Sequence, residues 1–395
     1  MYELRFADSL AGIHASDWNA LVDPNDPFTD YRFLRALETS ACVGPHTGWL
    51  PNYVLAYAED RLRGAIPLYI KGDSYGEFIF DWAWADAAMA NGISYYPKLV
   101  VAVPFTPAAG NRILVGAEDD SRAEIIDALV GGVMQVAEEQ SVSSLHFLFC
   151  REDEQKVLSE KFDLMPRLTH QFHWDDQGYQ SFDDYLGALR NSARKNVRRE
   201  RKKAAASGLK IEILSGRELS DIQWRALYTF YLDTTGRKWG SAYLNERFFA
   251  RELREGLVDN VVATFASRDD TPVAGALFFR KGKHLYGRYW GTLESHDALH
   301  FELCYYLPIE YCIAEGLRHY EAGAQGAHKL RRGMMPCPTY SAHWLRHPGL
   351  RGAVDHYLDG ERDAIGEEMK YLGGYGPFKR EGKGSDSKRP NEENG

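Results

Sequence analysis

Hydrophobic and polar residues alternate in two similar stretches of the chain, at 53–86 and at 261–291. Each reads as a strand, a polar turn, an apolar strand that starts near Gly-Ala, a basic turn with glycine, and an aromatic strand that starts at Tyr-Gly. Tyr75 of the first stretch aligns with Tyr286 of the second at an offset of 211 residues. This pattern predicts one antiparallel three-stranded meander in each stretch.

An amphipathic helix and then a short apolar strand follow each meander, at 122–150 and at 300–323. The first copy has about 34 extra residues before its helix, and this insertion includes the apolar, proline-containing stretch 95–116. The same order of elements, present twice, indicates an internal duplication. The predicted fold class is α+β, with two tandem domains that each hold a mostly antiparallel sheet flanked by helices.

The predicted domain boundary lies near Phe172, before a strongly basic helix. The first domain then spans residues 1–171 and the second spans 172–378. The last stretch, 379–395, lacks apolar residues and is expected to be a disordered tail.

The composition is that of an ordinary globular protein, because 44% of the 395 residues are hydrophobic and 26% are charged. No run of about 18 apolar residues occurs, so no membrane span is predicted. The five cysteines are scattered without CxxC spacing, and three of them lie in apolar runs (Cys150, Cys304 and Cys312). These features favour a reduced, cytoplasmic protein.

Positive charge is concentrated at one place in this acidic chain. The net charge is −9, yet positions 190–203 hold eight basic residues and one acid, which gives the segment a charge of +7. Ser181 is a candidate N-cap and Gly208 a candidate stop, so one helix is expected at 182–206. An apolar stripe is expected to pack on the domain and turn the cationic face outward (Leu186, Leu189, Ala193, Val197 and Ala204). Such a face either binds a polyanion through counterion release or is simply solvated.

Several longer motifs resemble one known family. They are LYGRYWG, HFELCYYLPIEYCIAEGLRHYEAGAQG and HKLRRG in the second copy, and SYGEFIFDWAWADA, YYPKLVVAVPFTP and QFHW in the first. Over roughly residues 25–350 the chain resembles the Fem-type branch of the GNAT acyltransferase superfamily. More narrowly, it resembles predicted N-acyltransferases labelled peptidoglycan biosynthesis or recognition proteins. The resemblance implies transfer of an amino acid from aminoacyl-tRNA to an amine of a peptidoglycan precursor.

The resemblance also implies a role for Lys329. Fem transferases have a Phe-Lys-x-x-Phe-Gly pattern after the last strand of the second domain, and its lysine is thought to stabilise the oxyanion. Lys329 and Gly333 keep this spacing, whereas His328 and Arg332 replace the two aromatic residues. The narrower family usually has glutamate where this chain has Ala327, which leaves open a redirected or inactive site.

Acyl transfer to an amine needs cations or donors near the developing oxyanion and a group that accepts the amine's proton. Lys329 and Arg332 are three residues apart, so on one helical turn both could supply a cation near the oxyanion. Alternatively, they belong to a basic surface turn. The candidates for the group that accepts the proton are His300, Glu302 and His328. The predicted catalytic set is Lys329, His328 and Glu302. Glu302 fits equally well as a first-turn acid of its helix.

The predicted donor site combines the basic helix with the Lys329 segment. A GNAT phosphate loop before a helix is not recognisable, which argues against plain acetyl-CoA chemistry without excluding it. The predicted donor-binding residues are Arg194, Lys195, Arg198, Arg199, Gln325 and Arg332.

The predicted acceptor site uses the aromatic strand of each copy. In the first copy, one face of a strand at 78–87 is expected to carry the rings and Asp86, with Asp81 on the other face. In the second, Tyr286, Arg288 and Trp290 are expected to share a face. Both strands fit a core position as well as a ligand-stacking one. The predicted acceptor-binding residues are Tyr75, Asp81, Trp82, Trp84, Asp86, Tyr286, Arg288 and Trp290.

Metal sites are not expected. His170 and His173 fall on opposite faces of a predicted strand, and neither CxxC nor HExxH spacing occurs. No tightly bound cofactor is expected; aminoacyl-tRNA or acyl-CoA would be the co-substrate, with a small amine or peptidoglycan precursor as acceptor.

Three hypotheses remain beside the Fem-like aminoacyltransferase. One is an acyl-CoA-dependent N-acetyltransferase. Another is a non-catalytic module that binds peptidoglycan or RNA through a decayed transferase site. The third is association with an anionic membrane surface through the basic helix. DNA is not an expected partner.

Overall fold

The computed structural model describes residues 2–117, 119–239, 242–323 and 326–379. Of the predicted disordered tail, residues 380–395 lie outside this range. The strands are β1 Glu3–Ala7, β2 Leu50–Pro51, β3 Tyr53–Ala58, β4 Arg61–Ile66, β5 Leu68–Lys71, β6 Lys98–Val101, β7 Leu114–Val115, β8 Ser144–Cys150, β9 Met165–Asp175, β10 Lys210–Ser215, β11 Val261–Arg268, β12 Thr271–Lys281, β13 His284–Thr292, β14 His319–Glu321 and β15 Met335–Leu345.

The α-helices are α1 Ala15–Asn19, α2 Tyr31–Thr39, α3 Trp82–Ala90, α4 Arg122–Glu139, α5 Glu152–Phe162, α6 Phe182–Ala188, α7 Asn191–Ala205, α8 Asp221–Trp239, α9 Leu299–Phe301, α10 Leu307–Ala314 and α11 Pro348–Gly374. A π-helical segment, Glu302–Tyr306, joins α9 to α10, and another covers Phe248–Gly256. Four 3₁₀ segments cover Leu10–Gly12, Gly216–Glu218, Val258–Asn260 and Ala327–Arg332.

The strands form two sheets. The smaller has the order β1-β3-β4-β7, and the larger has the order β10-β11-β12-β13-β14-β9-β15-β8-β6-β5-β2. The chain passes from the smaller sheet to the larger at Pro67, between β4 and β5, where proline removes a backbone donor. The predicted α+β fold of mostly antiparallel sheets with flanking helices is therefore confirmed.

The second half follows the sequence pattern closely. Strands β11, β12 and β13 form the predicted antiparallel meander. The helix that starts at Leu299 and the short strand β14 then follow in the predicted order. β14 returns parallel to β13, with only three residue pairs.

The first half departs from the predicted meander. Strands β3 and β4 form as expected, but the aromatic segment is not a strand, because Trp82–Ala90 is helix α3. Instead, β6 pairs antiparallel with β5 and parallel with β8, as β13 does with β12 and β14. The counterpart of β13 thus lies inside the predicted insertion, and the alignment of Tyr75 with Tyr286 is wrong for this strand.

The halves exchange strands near their junction. β9, which ends the first half, pairs with β14 and with β15. β15, from the second half, pairs with β8 of the first. Because β9 runs through Phe172, the predicted boundary falls inside a strand that both halves share, and the division into domains 1–171 and 172–378 stays a prediction.

The basic segment forms two helices instead of the single one predicted. Helix α6 begins after Ser181, whose side chain accepts the predicted capping bond from the Asp184 backbone N–H. The helix ends at Ala188 because Leu189 and Arg190 are extended, and α7 begins at Asn191. The predicted apolar stripe is buried apart from Ala193, which is half-buried.

Candidate active site

A cavity of about 390 Å³ opens where β13 and β14 part. The two strands pair only from His284–Tyr286 to His319–Glu321, and beyond this the chain turns away at Gly323, whose φ is +78°. Two residues of the first half complete the wall (Phe78 and Pro107). The second half supplies Thr234, Thr235, Tyr243, Ala276, Leu277, Phe278, Gly287, Arg288, Tyr289, Trp290, His300, Cys304, Tyr305, Tyr320, Ala322, Gly323, Gly326, His328 and Lys329.

A β-bulge in β13 brings Arg288 to this cavity. Gly287 pairs with Phe278 and Tyr289 pairs with Leu277, so Arg288 has no partner in the ladder. The bulge reverses the side-chain alternation, and the prediction that Tyr286, Arg288 and Trp290 share a face is wrong. Tyr286 is buried against Phe28 and does not line the cavity, whereas Arg288 and Trp290 do.

Lys329 lies in the cavity wall with only 1% of its surface exposed. Its 3₁₀ segment, Ala327–Arg332, ends at Gly333, whose φ of +84° favours glycine. The Lys329 Nζ donates to the carbonyl of Gly323 at 2.5 Å. A buried cation with an oxygen partner at the cavity surface can interact with an anionic oxygen of a ligand.

His328 lies next to Lys329 at the cavity and is exposed. Its Nε2 is 2.9 Å from the hydroxyl of Tyr305, and burial raises the pKa of that hydroxyl. The ring of His300 lies between Trp290 and His328, at centroid distances of 5.0 and 6.0 Å. The arrangement puts two imidazoles beside one ammonium group.

Glu302 and Arg332 do not line the cavity, which corrects their predicted placement. Arg201 approaches Glu302 to 2.9 Å, and although burial raises the pKa of this carboxyl, the guanidinium opposes the shift. Arg332 is buried, contacts Glu200 at 2.8 Å and stacks on Phe301 at 3.4 Å. Both residues hold α7 against neighbouring elements, so neither is a candidate for contact with a reacting group.

Helix α7 contacts the Lys329 segment through Glu200, on the side of the helix that faces the domain. Glu200 of α7 contacts Arg332, which in turn donates to the backbone carbonyl of His328 at 2.7 Å. Of the predicted donor-binding cations, Lys195, Arg198 and Arg199 are exposed and Arg194 is half-buried. Arg198 is 3.7 Å from Asp183, a weak surface pair. Gln325 lies outside the described residues.

The predicted acceptor residues of the first half are spread over different surroundings. Tyr75 and Trp82 are exposed, with ring centroids 5.5 Å apart, and Asp86 is exposed on α3. Trp84 is buried against the imidazole of His343. None of these four lines the cavity, so the proposed ring-bearing strand face is absent.

Asp81 belongs to a buried polar cluster of the first half. It accepts hydrogen bonds from the Lys98 ammonium at 2.5 Å and the Tyr95 hydroxyl at 2.7 Å. Although burial opposes ionisation, Lys98 and His146 hold the pKa of this carboxyl below its usual range. Asp81 is thus a structural charge and not an acceptor-binding group.

The sequence matches the FemAB-like family, described as peptidoglycan biosynthesis/recognition, over residues 9–380. This chain belongs to the FemAB-like family. The predicted resemblance is confirmed, and with it the assignment to acyltransferases at the level of family and fold.

Solved structures are similar to this FemAB-like protein at low identity, and two of them, FemX and a synthetase domain, share its fold. FemX is 11% identical with a TM-score of 0.53, over 89% of this chain and 100% of that chain. The C-terminal domain of a putative lysylphosphatidylglycerol synthetase from Agrobacterium fabrum is 11% identical with a TM-score of 0.52, over 87% and 96%. A tandem GNAT protein from the clavulanic acid biosynthesis pathway is 12% identical with a TM-score of 0.46, over 88% and 99%. No curated protein matches the sequence.

Within the described residues of the FemAB-like chain, no helix is both long and apolar enough to cross a membrane. Sequence reasoning missed several cavity residues, notably Thr234, Thr235, Tyr243 and Tyr305. Thr234, Thr235 and Tyr243 come from α8 and the chain after it, which carry no recognisable motif, whereas Tyr305 lies in a π-helical turn inside the motif that begins at His300. The sequence could have indicated Tyr305 as a cavity residue, because it follows His300 by five residues in the helical segment after β13.

Proposed function

We propose that this protein is an N-acyltransferase that moves an aminoacyl group from aminoacyl-tRNA to the amine of a peptidoglycan precursor or another small amine. The observation that carries the proposal is a cavity that holds Lys329, His328 and Arg288, with the basic helix α7 packed against the segment that supplies Lys329. Charged tRNA is made in the cytoplasm, so the proposal also assigns the reaction to that compartment.

The cavity supports direct transfer without a covalent enzyme intermediate. The amine attacks the ester carbonyl, a C–N bond forms, and the C–O bond to the terminal ribose breaks. The Lys329 ammonium stabilises the oxygen that becomes negative in the transition state. With its Nε2–H donated to the Tyr305 hydroxyl, the His328 imidazole accepts the proton that the amine loses at Nδ1 and gives it to the ribose oxygen, which leaves as a hydroxyl.

The remaining polar groups of the cavity suit the acceptor. Arg288 donates to the backbone carbonyl of Phe105 in the first half, so its guanidinium spans the two halves. Trp290 offers a second aromatic wall of the same cavity, on which an acceptor group can stack. The walls are otherwise largely apolar and aromatic, which keeps water from competing with the amine.

The face of α7 suits a polyanionic donor. Lys195, Arg199 and Lys202 are exposed, and no ion pair joins them to an acid within the described residues. A nucleic acid on this face would release counterions, and the link from Glu200 through Arg332 ties the helix to the segment that holds Lys329.

The test offers the purified protein radiolabelled aminoacyl-tRNA or acyl-CoA, with cell-wall precursors or small amines as acceptors. Reversing three charges of α7 (Lys195→Glu, Arg199→Glu and Lys202→Glu) should weaken aminoacyl-tRNA binding at least about tenfold. It should also lower the slope of log affinity against log salt by about 2–3, since each phosphate contact contributes about 0.7–0.9.

A control variant carries the same charge change at exposed positions of other helices (Lys156→Glu, Arg225→Glu and Lys370→Glu). It should bind aminoacyl-tRNA as the unaltered protein does. Transfer only from acyl-CoA would overturn the proposed donor. Transfer from neither donor would overturn the enzyme proposal and favour the binding module.

A further inference from the structure

Four polar side chains lie on one face of two adjacent strands, at the junction of the halves. His173 of β9 is directly opposite Glu321 of β14, and Asp175 is opposite His319. Residues two apart on a strand point to the same side, so all four share a face. The register thus brings two imidazoles and two carboxylates together from strands that are more than 140 residues apart in the sequence.

Three of these residues have the spacing of metal ligands. One ring nitrogen of His173, one of His319 and one carboxylate oxygen of Glu321 lie within 4.8 Å of one another. Ligands bound tetrahedrally to zinc at about 2.0–2.1 Å lie about 3.4 Å apart, so small side-chain rotations would close the set. Imidazole and carboxylate are ligands that divalent first-row metals accept.

A buried nitrogen without a partner points to the same function. His173 is 3% exposed, and its Nδ1 has no hydrogen-bond partner among the residues that the structure describes. Leaving a buried polar atom unpaired costs about 1–3 kcal/mol, so such an atom is uncommon unless a ligand occupies its lone pair.

The other nitrogen of each ring already has an oriented acceptor. Nε2 of His173 is 3.3 Å from the side-chain oxygen of Gln171, whose amide donates to the carbonyl of Pro107 at 2.9 Å. Nδ1 of His319 is 2.6 Å from Asp175, which leaves Nε2 on the side of Glu321, 3.4 Å away. Metal-binding histidines are usually held in this way by an acceptor on the second nitrogen, which fixes the tautomer.

We propose that His173, His319 and Glu321 bind a divalent first-row transition metal, for which Zn²⁺ is the probe. Nδ1 of His173, Nε2 of His319 and one oxygen of Glu321 are the ligands, and a water completes the coordination. His284, with its ring centroid 4.8 Å from that of His319, lies at the edge of the site.

The site lies behind the cavity, on the other face of the sheet. Tyr320 and Ala322, which flank Glu321, line the cavity, whereas His319 and Glu321 point away from it. The ion would join β9 to β14 at the point where β14 parts from β13. Its role is to hold the shared strand and the cavity edge in place, and it takes no part in acyl transfer.

The test measures Zn²⁺ binding by the full-length protein after removal of metal with a chelator. Isothermal titration and elemental analysis should give one equivalent of Zn²⁺ per chain. Co²⁺ in its place should give the visible absorption bands of a four-coordinate site. The midpoint of thermal unfolding should rise with Zn²⁺ concentration and fall again when chelator is added.

Single substitutions identify the ligands. His173→Gln and His319→Gln should each abolish the stoichiometric Zn²⁺ uptake and the Co²⁺ bands, while circular dichroism shows that both proteins are folded. His170→Gln, on the same strand but outside the cluster, should leave one equivalent bound. If the unaltered protein takes up no Zn²⁺, or both variants take up as much as it does, the proposal is wrong. In that case the cluster is only a buried ion group, in which His319 is the cation between two carboxylates.

Discussion

The two halves of the protein end their parallel strand pair in the same way but use the space beyond it differently. In the second half, β13 and β14 part after three residue pairs and leave the cavity. In the first half, β6 and β8 also pair over three residues, yet the following loop fills the opening. There the Arg112 side chain donates to the backbone carbonyl of Leu148 at 2.8 Å. The backbone N–H of Gly110 donates to the backbone carbonyl of Phe149 at 3.1 Å.

A buried cation marks the same place in each half. Arg112 bonds the carbonyl of Leu148 and Lys329 bonds that of Gly323, and each cation is 1% exposed. Phe149 and Gly323, at corresponding positions past the paired residues, both have positive φ, +55° and +78°. The difference lies in what surrounds each cation. Arg112 is enclosed by its own loop, whereas Lys329 lines an open cavity, so only the second half can present its cation to a substrate.

The largest expected effect is on transfer by the second half. Lys329→Met keeps an unbranched side chain of nearly the same length but removes the charge, and should lower kcat for aminoacyl transfer by about 10²–10³, the usual loss for one oxyanion-stabilising group. Steady-state kinetics with saturating donor measure it.

Arg331→Met removes an exposed cation from the same turn and serves as the matched control, with kcat expected within about twofold of the unaltered value. A folded Lys329→Met protein with full activity would contradict the proposed role of this lysine.

The corresponding change in the first half should affect stability and not catalysis. Arg112→Met leaves the buried carbonyls of Leu148 and Ala108 without their donor, and should lower the free energy of unfolding by about 2–4 kcal/mol. Urea unfolding at pH 7 measures this loss, and kcat per folded molecule should stay unchanged. A fall in kcat with unaltered stability would mean that the first half, where the loop around Arg112 occupies the corresponding space, takes part in the reaction.

One buried histidine of the first half, His146, should contribute to the acid sensitivity of the fold. Burial and the nearby Lys98 lower the pKa of His146 to about 3, whereas in the unfolded chain it is about 6.5. Between these values the unfolded chain holds a proton that the folded protein does not, so stability falls as pH falls through this range. His146→Gln should reduce the slope of unfolding free energy against pH by about 1.4 kcal/mol per unit between pH 6 and 4.

His356→Gln, an exposed histidine of α11, is the control and should leave the slope unchanged. An equal slope in the His146→Gln protein would show that this imidazole does not stay neutral in the fold.

The smallest effect concerns the turn at the cavity edge. Gly323→Ala should cost about 1 kcal/mol because φ is positive there, although the added Cβ meets no atom closer than 3.7 Å. Gly131→Ala in α4, where a Cβ meets nothing within 4 Å, should instead stabilise by about 0.5–1 kcal/mol. Thermal unfolding of both variants tests the contrast, and a neutral Gly323→Ala would argue that the turn adjusts freely.

Sequence patterns were sufficient for the meander of the second half because its strands are long and are joined by short turns. They failed for Trp82–Ala90, where aromatic alternation over a few residues competed with an alanine-rich run that favours helix. They also missed β6, since four apolar residues in a long loop carry little signal.

The candidate site was predictable only in part. Lys329 and His328 were found from one short motif, and Arg288 from an aromatic strand, although its bulge was not foreseen. The grouping of His173 with Glu321 was out of reach, because it depends on β9 pairing with a strand of the other half. Sequence spacing describes neighbours within one element and does not give the order of strands in a sheet.

The exchange of β9 and β15 has a consequence for how the chain folds during synthesis. β8 obtains its native neighbour only when β15 is available, as the pairing of Cys150 with Tyr340 illustrates. Until then β9, the next strand to be made, can cover that edge instead, and a pairing of β9 with β8 would have to be undone later. Such non-local order slows folding and exposes strand edges for longer. The nascent first half therefore needs protection from aggregation until residues near 345 have left the ribosome.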